Sequence, residues 1–240
     1  MEEAHLAPLL YMLLGVELSL LGISVALLVL SFREHRGRSE LLEALFRATR
    51  ALTRYEYFLA VIDSIRVARK SVAGVVTGRR PTTDLGRQAV RDILKALQEA
   101  SRRGVRVRYV IYKSPDRLYM GYHYKRAGAE VRVSPVVALN DLRYMVVDEK
   151  INVLGLAGKE RGSPTRMGYV IGSRTLAGLL LRDFERLWSN SERLEDYAEE
   201  LVREILGETP TATEDQIAEH LGIPREEAAR LLAKARRAPD

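Results

Sequence analysis

The chain has 240 residues, 47% of them hydrophobic, which is enough for one medium-sized domain with appended segments. It contains no Cys, which excludes disulfides and thiolate metal sites, and its four His are too far apart in sequence to predict a metal cluster (His5, His35, His123 and His220). The net charge of +6 is uneven, because residues 191–240 carry 13 acidic and 7 basic side chains. We therefore expect the basic remainder to meet an anionic partner: a phosphate, a nucleic acid or a membrane surface.

Residues 6–32 form an apolar run with a single charge, Glu17. As a helix this run would be about 40 Å long, against about 30 Å for the hydrocarbon core of a bilayer, so we predict a transmembrane helix. A cleaved signal peptide fits poorly, because the residues before the run are acidic and the run is too long. Basic residues follow the run but do not precede it, which predicts an N-terminus outside the cell membrane and cytoplasmic domains after residue 32.

Small residues recur along one face of this predicted helix, at Gly15, Ser19, Gly22 and Ala26. Such a stripe allows two membrane helices to approach closely, so it favours a homodimer; chance use of small residues is the alternative. Residues 39–70 are predicted to be an amphipathic helix with heptad-like apolar spacing. Either a juxtamembrane stalk or a helix that packs on its own sheet would produce this spacing.

Strand and helix patterns alternate through residues 55–190. The predicted strands cover residues 71–77, 105–112, 130–134, 142–147, 151–156 and 167–171, with helical patterns at 84–103, 117–126 and 173–188. Such alternation predicts an α/β sandwich with a mixed sheet.

The predicted hairpin over residues 142–156 is flanked by Asp141, Arg143 and Asp148, which give the pattern D-x-R-x4-D. This pattern resembles a degenerate copy of the H-x-K-x4-D signature of the phospholipase D superfamily. The segments ALQEASRRGVRVRYVIY, YKRAGAEVRV and GYVIGSRTLAGLLLRDFERLW are also similar, in order and spacing, to a half-domain of that family. The resemblance implies a phospholipase D-like α/β/α sandwich over residues 55–190.

The same resemblance implies that the catalytic machinery is incomplete. The family uses a His nucleophile with a Lys and an Asn on the phosphate, whereas this chain has Asp141 and Arg143 at the first two positions and lacks the Asn. A carboxylate at the first position would repel phosphate, so we expect no catalytic residue here. Arg143 would then bind a phosphate-containing ligand or pair with Asp141 or Asp148.

Residues 192–238 carry helical patterns interrupted at Gly207 and Gly222, and the second interruption is typical of a helix-turn-helix. Thr213 is a predicted N-cap. The last helix offers candidate DNA contacts at Arg225, Arg230, Lys234 and Arg237, although a protein-docking or purely structural module would have the same pattern.

Half-domains of the phospholipase D type must pair to assemble a site, which again implies a homodimer. Similar degenerate domains serve as effector sensors in archaeal sugar-responsive regulators of the TrmB type. The Arg-rich composition, with little Asn or Gln, is typical of a heat-adapted or GC-rich source.

The leading hypothesis is a membrane-anchored, non-catalytic, dimeric sensor or interaction module without cofactor or metal. The alternatives are an atypical phosphodiesterase and a membrane-tethered DNA-binding regulator.

Overall fold

The computed structural model describes residues 49–136, 142–157 and 165–237. The strands there are β1 (Thr49–Leu52), β2 (Ser71–Val75), β3 (Arg106–Tyr112), β4 (Glu130–Ser134), β5 (Leu142–Val147), β6 (Ile151–Ala157), β7 (Thr165–Gly172) and β8 (Glu192–Arg193). The helices are α1 (Arg54–Val67), α2 (Asp84–Arg102), α3 (Leu118–Arg126), α4 (Arg174–Ser189), α5 (Leu194–Glu208), α6 (Glu214–Leu221) and α7 (Arg225–Ala235).

The strands form one mixed sheet in the order β1-β7-β6-β5-β2-β3-β4-β8. β2, β3 and β4 are parallel and are joined through α2 and α3, whereas every other neighbouring pair is antiparallel. One face of the sheet packs on a large core that includes Ile65, Leu97 and Leu118, and the other face packs on Phe184 of α4. The predicted mixed α/β sandwich is thereby confirmed.

The predicted helix over residues 39–70 is wrong at residues 49–52. These residues form β1, which pairs antiparallel with β7 from Thr49↔Ile171 to Leu52↔Gly168. α1 begins only after Thr53, whose hydroxyl accepts from the Glu56 N–H while the Glu56 carboxylate accepts from the Thr53 N–H. Sheet pairing, together with this reciprocal cap, overrides the local heptad spacing. Residues 39–48 lie outside the described residues.

The predicted C-terminal module is not a separate body, because its helices share the core of the α/β domain. Ile217 and Leu221 of α6 and Leu231 of α7 are buried in the same cluster as the sheet residues Val107 and Val133. The predicted turn is present: Thr213 caps α6, and Gly222 ends it with a left-handed φ of 64°. The two helices and the glycine turn between them are therefore present, and they are packed into the domain.

No helix among the described residues is long and apolar enough to cross a membrane. The transmembrane helix predicted for residues 6–32 and its packing residues Gly15, Ser19, Gly22 and Ala26 lie outside the described residues.

Candidate anion-binding site

Two adjoining cavities lie where β2 ends and β5 begins. The larger has a volume of about 210 Å³ and the smaller about 100 Å³. Both are lined by α1, by the segment after β2, by α2 and by β5. They share five lining residues: Phe58, Thr77, Ile93, Tyr124 and Arg143.

Arginine dominates the polar lining of the larger cavity, with Arg54, Arg79, Arg80 and Arg143 around it. Among its described lining residues there is no Asp, Glu or His. Arg79 and Arg80 directly follow Gly78, which turns the chain after β2 with a φ of 62°. Four guanidinium groups without a lining carboxylate favour an anionic ligand, and Arg presents paired N–H donors that match phosphate or carboxylate oxygens.

The first turn of α2 also lines the larger cavity, through Thr83 and Gly86. The Thr83 hydroxyl accepts from the Gly86 N–H at 3.2 Å and so begins the helix. The partial positive charge of a helix N-terminus adds to that of the arginines. The guanidinium of Arg80 lies 4.5 Å from the ring centroid of Tyr119, a cation–π contact that stabilises its position.

Arg143 lies on β5 with only 6% of its surface exposed, and Tyr57 is next to it in the smaller cavity. Burial raises the pKa of Tyr57 to about 12, although the positive charge of Arg143 lowers it in part. Tyr57 is therefore a neutral hydroxyl at physiological pH, able to donate to an anion but not to act as a phenolate.

A pair of glycines provides the space for the Tyr57 ring. Gly155 on β6 and Gly168 on β7 are direct partners in the strand register. A Cβ added at Gly168 would lie 2.4 Å from Cδ2 of Tyr57, and one added at Gly155 would lie 2.8 Å from its hydroxyl. These two positions therefore require glycine so that Tyr57 can reach the cavity.

The floor of the smaller cavity is aromatic. Tyr109 and Tyr124 pack edge to face with their ring centroids 5.2 Å apart. Burial raises the pKa of both phenols, so both stay neutral. The site therefore combines a cationic mouth with an uncharged aromatic interior, as suits a ligand with an anionic group and a less polar body.

Asp148 lies at the opposite end of β5 from Arg143, about 16 Å away along an extended strand. Its carboxylate accepts hydrogen bonds from the backbone N–H groups of Arg69, Lys70 and Ser71 at 2.8–3.0 Å. Burial raises the pKa of this carboxyl, but the three N–H donors outweigh it and the net pKa lies below the usual range. Asp148 thus anchors the loop between α1 and β2. Asp141 lies outside the described residues.

His123, the nearest His in sequence to the degenerate motif, does not line either cavity. Its ring packs on Tyr119 with 4.2 Å between centroids, and its Nδ1 lies 2.7 Å from the Tyr119 carbonyl oxygen. The structure therefore does not bring His123 to Arg143 as a replacement nucleophile.

Three of the four candidate DNA contacts on α7 already bind carboxylates of the same domain. Arg225 pairs with Glu214 and with Asp215, and Arg230 pairs with Glu227. Lys234 pairs with Glu199, which is buried on α5 and whose pKa this hydrogen bond lowers. Arg237, the fourth, lies exposed beyond the end of α7. The side chains of Arg225, Arg230 and Lys234 are also exposed, so their ion pairs compete with any contact to a phosphate backbone.

Sequence reasoning identified Arg143 but missed Arg54, Arg79 and Arg80. The signal for Arg79 and Arg80 is their place in Gly-Arg-Arg-Pro, directly after β2. In open α/β sheets, ligands bind beyond the carboxyl ends of the parallel strands, which is where this segment lies. For Arg54 the sequence provides no comparable signal, because α1 reaches the cavity only through packing.

The domain is thus a mixed α/β fold with an arginine-lined cavity at the carboxyl end of β2. Residues 84–195, just under half of the chain, match the family described as "Transcriptional regulator TrmB, EBD N-terminal subdomain". No curated protein matches the chain.

Among solved structures, the chain is similar to Nuc, a phospholipase D family member from Salmonella typhimurium, with 19% identity over 56% of this chain and 88% of that one and a TM-score of 0.45. It is similar to NucT from Helicobacter pylori, with 16% identity over 60% and 98% and a TM-score of 0.47. It is also similar to the archaeal chromatin protein TrmBL2, with 18% identity over 67% of this chain, 62% of that one and a TM-score of 0.45.

Proposed function

We propose that this protein is a membrane-tethered sensor whose α/β domain binds an anionic, phosphate-containing small molecule without turning it over. The observation that carries the proposal is the larger cavity, where four arginines and the first turn of α2 meet without a described lining carboxylate. The match of residues 84–195 to a subdomain of a transcriptional regulator supports a regulatory role for this binding.

Binding is favoured over catalysis by the chemistry of the lining. Transfer of a phosphoryl group by the covalent route needs a nucleophile and a group that takes up its proton. The described lining offers arginines, threonine hydroxyls and the neutral Tyr57, but no His or carboxylate for that task. Arginines alone hold the ligand's charge in place, which is the function of a receptor site.

The membrane tether is the predicted helix over residues 6–32, with the domain on the cytoplasmic side and the small-residue stripe joining two copies. In this arrangement the domain is exposed to soluble metabolites. Ligand binding to one copy is communicated through the dimer to the other copy or to a target protein. The tether is tested by whether the full-length chain stays with the membrane fraction after extraction with alkaline carbonate.

The ligand site is tested by titration calorimetry of the detergent-solubilised full-length chain with inorganic phosphate, pyrophosphate, a sugar phosphate and the corresponding neutral sugar. We expect binding of phosphate-containing ligands only, weakened at least tenfold by Arg143→Gln or Arg80→Gln, because each loses a charged hydrogen bond worth about 1.5–3 kcal/mol. Arg91→Gln is the matched control, because Arg91 is exposed on α2 and lines neither cavity. Equal affinity for the neutral sugar, or insensitivity to both cavity variants, would refute the anionic site.

The phosphodiesterase alternative predicts hydrolysis of bis(p-nitrophenyl) phosphate that is lost with Asp141→Ala. The sensor proposal predicts no turnover above the Arg143→Gln background. Turnover that depends on Asp141 would establish an enzyme in place of a receptor.

A further inference from the structure

At the end of the sheet opposite the cavities, where β2 and β3 begin, lies a group of exposed basic side chains. They lie at the end of α1, in the loop before β2, at the end of α2, at the start of β3 and in the β5–β6 turn. We call them the basic edge: Arg66, Arg69, Lys70, Arg102, Arg103, Arg106 and Lys150.

The strand register places these residues together. Ser71 of β2 is level with Arg106 of β3, and the Arg106 N–H donates to the Lys70 carbonyl oxygen at 3.0 Å. The guanidinium of Arg103 donates to the carbonyl oxygens of Ile65, Arg66 and Ala68, which fixes the end of α1 against the end of α2. These contacts hold the elements that carry the basic edge against one another.

Acidic residues offset only part of this charge. Asp63 pairs with Arg66 at 3.7 Å and Glu130 pairs with Arg106 at 3.3 Å, while the exposed Glu149 lies next to Lys150. Glu99 is half-buried near the end of α2. The Asp148 carboxylate faces the backbone N–H groups of the α1–β2 loop. Within the described part of the chain, Arg69, Lys70 and Arg102 form no ion pair, so their charges remain available to a partner.

The chain enters the domain at this same edge. β1 begins at Thr49, which pairs with Ile171, and the neighbouring Gly172 is level with Ile151 at the start of β6. The 16 residues from 33 to 48 separate this point from the apolar run over residues 6–32. Fully extended, they span at most about 55 Å.

We propose that the basic edge docks on the head groups of an anionic lipid bilayer, so that the arginine-lined cavity faces away from the membrane. The proposal rests on the membrane tether proposed above, and adds an orientation and a lipid class to it. A tether that starts at the basic edge keeps this edge near the bilayer, which raises its effective concentration there. Anionic lipid then supplies the complementary charge, within the roughly 10 Å over which such attraction acts at 0.1 M salt.

A lipid surface is favoured over a nucleic acid because of this point of entry. The same tether that brings the edge to the bilayer limits how far it can move away from it. Nucleic acid binding by the basic edge is the competing outcome, and the experiment below distinguishes the two.

The test uses the full-length chain reconstituted in vesicles of phosphatidylcholine alone or with about one third phosphatidylglycerol, an anionic lipid. Because the chain has no Cys, a single label is placed at Gly172→Cys, where an added Cβ meets nothing within 4 Å. The control label is Val136→Cys. Val136 is exposed and lies just after the carboxyl end of β4, at the end of the sheet opposite the basic edge. Quenching of the label by a head-group spin-labelled lipid reports contact with the bilayer surface.

We expect strong quenching at Gly172→Cys in anionic vesicles, weak quenching in neutral ones, and little at Val136→Cys in either. Substitution of Arg69, Lys70 and Arg102 by Gln should lower the docking equilibrium constant by on the order of a hundredfold, because each basic residue contributes a factor of about five. The matched control is Arg91→Gln with Lys95→Gln, which removes two exposed charges from the middle of α2 and should leave quenching unchanged.

Three outcomes would overturn the docking. They are equal quenching in neutral and anionic vesicles, equal quenching at the two labels, and loss of duplex DNA binding in the triple Gln variant while its vesicle quenching is unchanged. Flotation of the same vesicles tests the tether separately. Protein that floats but shows no quenching at Gly172→Cys keeps the tether and refutes the docking. Protein that fails to float with neutral vesicles refutes the tether, while charge-dependent flotation with anionic vesicles would still support the basic edge.

Discussion

Substitution of Asp148 gives a direct measure of how the β5–β6 turn holds the domain together. Oδ1 accepts from Lys70 and Ser71, and Oδ2 accepts from Arg69. In Asp148→Asn the amide oxygen can keep the first two donors, while the amide NH₂ faces the Arg69 N–H and loses the third. The loss of one charge-assisted hydrogen bond predicts destabilisation of about 1.5–3 kcal/mol.

Asp148→Ala should cost more than Asp148→Asn for two reasons. It removes all three acceptor contacts, although water can reach this half-buried site and replace part of them. It also places Ala at a φ of 50°, where Asn is tolerated but Ala costs roughly 1–2 kcal/mol. We therefore expect a loss of about 3–5 kcal/mol, measured by urea denaturation of the full-length chain in detergent and followed by circular dichroism.

The pH dependence of stability distinguishes the effect of the Asp148 charge from the effect of the shape of its side chain. The folded-state pKa lies below the usual value of 3.8, so the contribution of the charge is present above that value and is lost as the pH falls through the folded-state pKa. The stability difference between wild type and Asp148→Asn should be constant from pH 7 to about pH 5 and should shrink towards pH 3. Glu149→Gln, exposed in the same turn at a φ of 57°, is the control and should change little. A difference that is unchanged at pH 3, or an equally large effect at Glu149, would refute this account.

Three further predictions concern the glycines that make space for the Tyr57 ring, and the helix α7. Gly168→Ala should destabilise the domain by about 1–3 kcal/mol and weaken phosphate binding, because the new Cβ would lie 2.4 Å from the Tyr57 ring; urea denaturation and calorimetry measure both. Lys234→Met should cost about 1–2 kcal/mol in urea denaturation, because it removes a partner of the buried Glu199. The full-length chain should bind a DNA duplex no more tightly than about 1 μM at physiological salt, measured by fluorescence anisotropy, because Arg230 and its neighbours on α7 already bind carboxylates.

Each of these predictions has a matched control or a contrary result. Gly172→Ala should be neutral, since an added Cβ there meets nothing within 4 Å. Destabilisation equal to that of Gly168→Ala would count against a steric requirement for glycine next to Tyr57. Arg225→Gln, which removes an exposed pair, should cost clearly less than Lys234→Met, and a cost as large as that of Lys234→Met would show that burial of the carboxylate is unimportant. Tight, salt-dependent duplex binding that is lost in Arg230→Glu would establish α7 as a DNA-reading helix.

Most of the central sheet could be predicted from the sequence, because local signals agree with the fold there. The hairpin of β5 and β6 has β-branched runs around a short polar turn. α2 begins at the Thr83 cap and is followed by Gly104, and α6 begins at the Thr213 cap and ends at Gly222. β1 could not be predicted, since its partner β7 is more than 100 residues away and its own four residues fit a helical repeat equally well. The contiguous core under α6 and α7 was also missed, because an apolar helix face does not reveal which surface it will cover.

The residues of the candidate site also differ in whether the sequence predicts them. Arg143 was identified from a local pattern, and Asp148 was identified from the same pattern although its carboxylate binds backbone N–H groups far from the cavity. A linear motif does not show which of its members face one point, because alternate positions along a strand face opposite sides and its two ends lie apart. The remaining arginines come from two other elements and meet Arg143 only through the tertiary fold.

The polarity of the strands links the two surfaces on which the proposals depend. β1, β2 and β6 run in one direction, so the edge at which the chain enters the domain is the edge at which β2 begins. The cavity lies at the end of β2 and is therefore at the far side of the sheet from the entry point. If a bilayer lies against the basic edge, the arginines of the cavity are turned towards the aqueous phase and do not compete with it for lipid phosphates. Two clusters of arginine in one small domain can then serve different partners, because the sheet itself holds them at opposite ends.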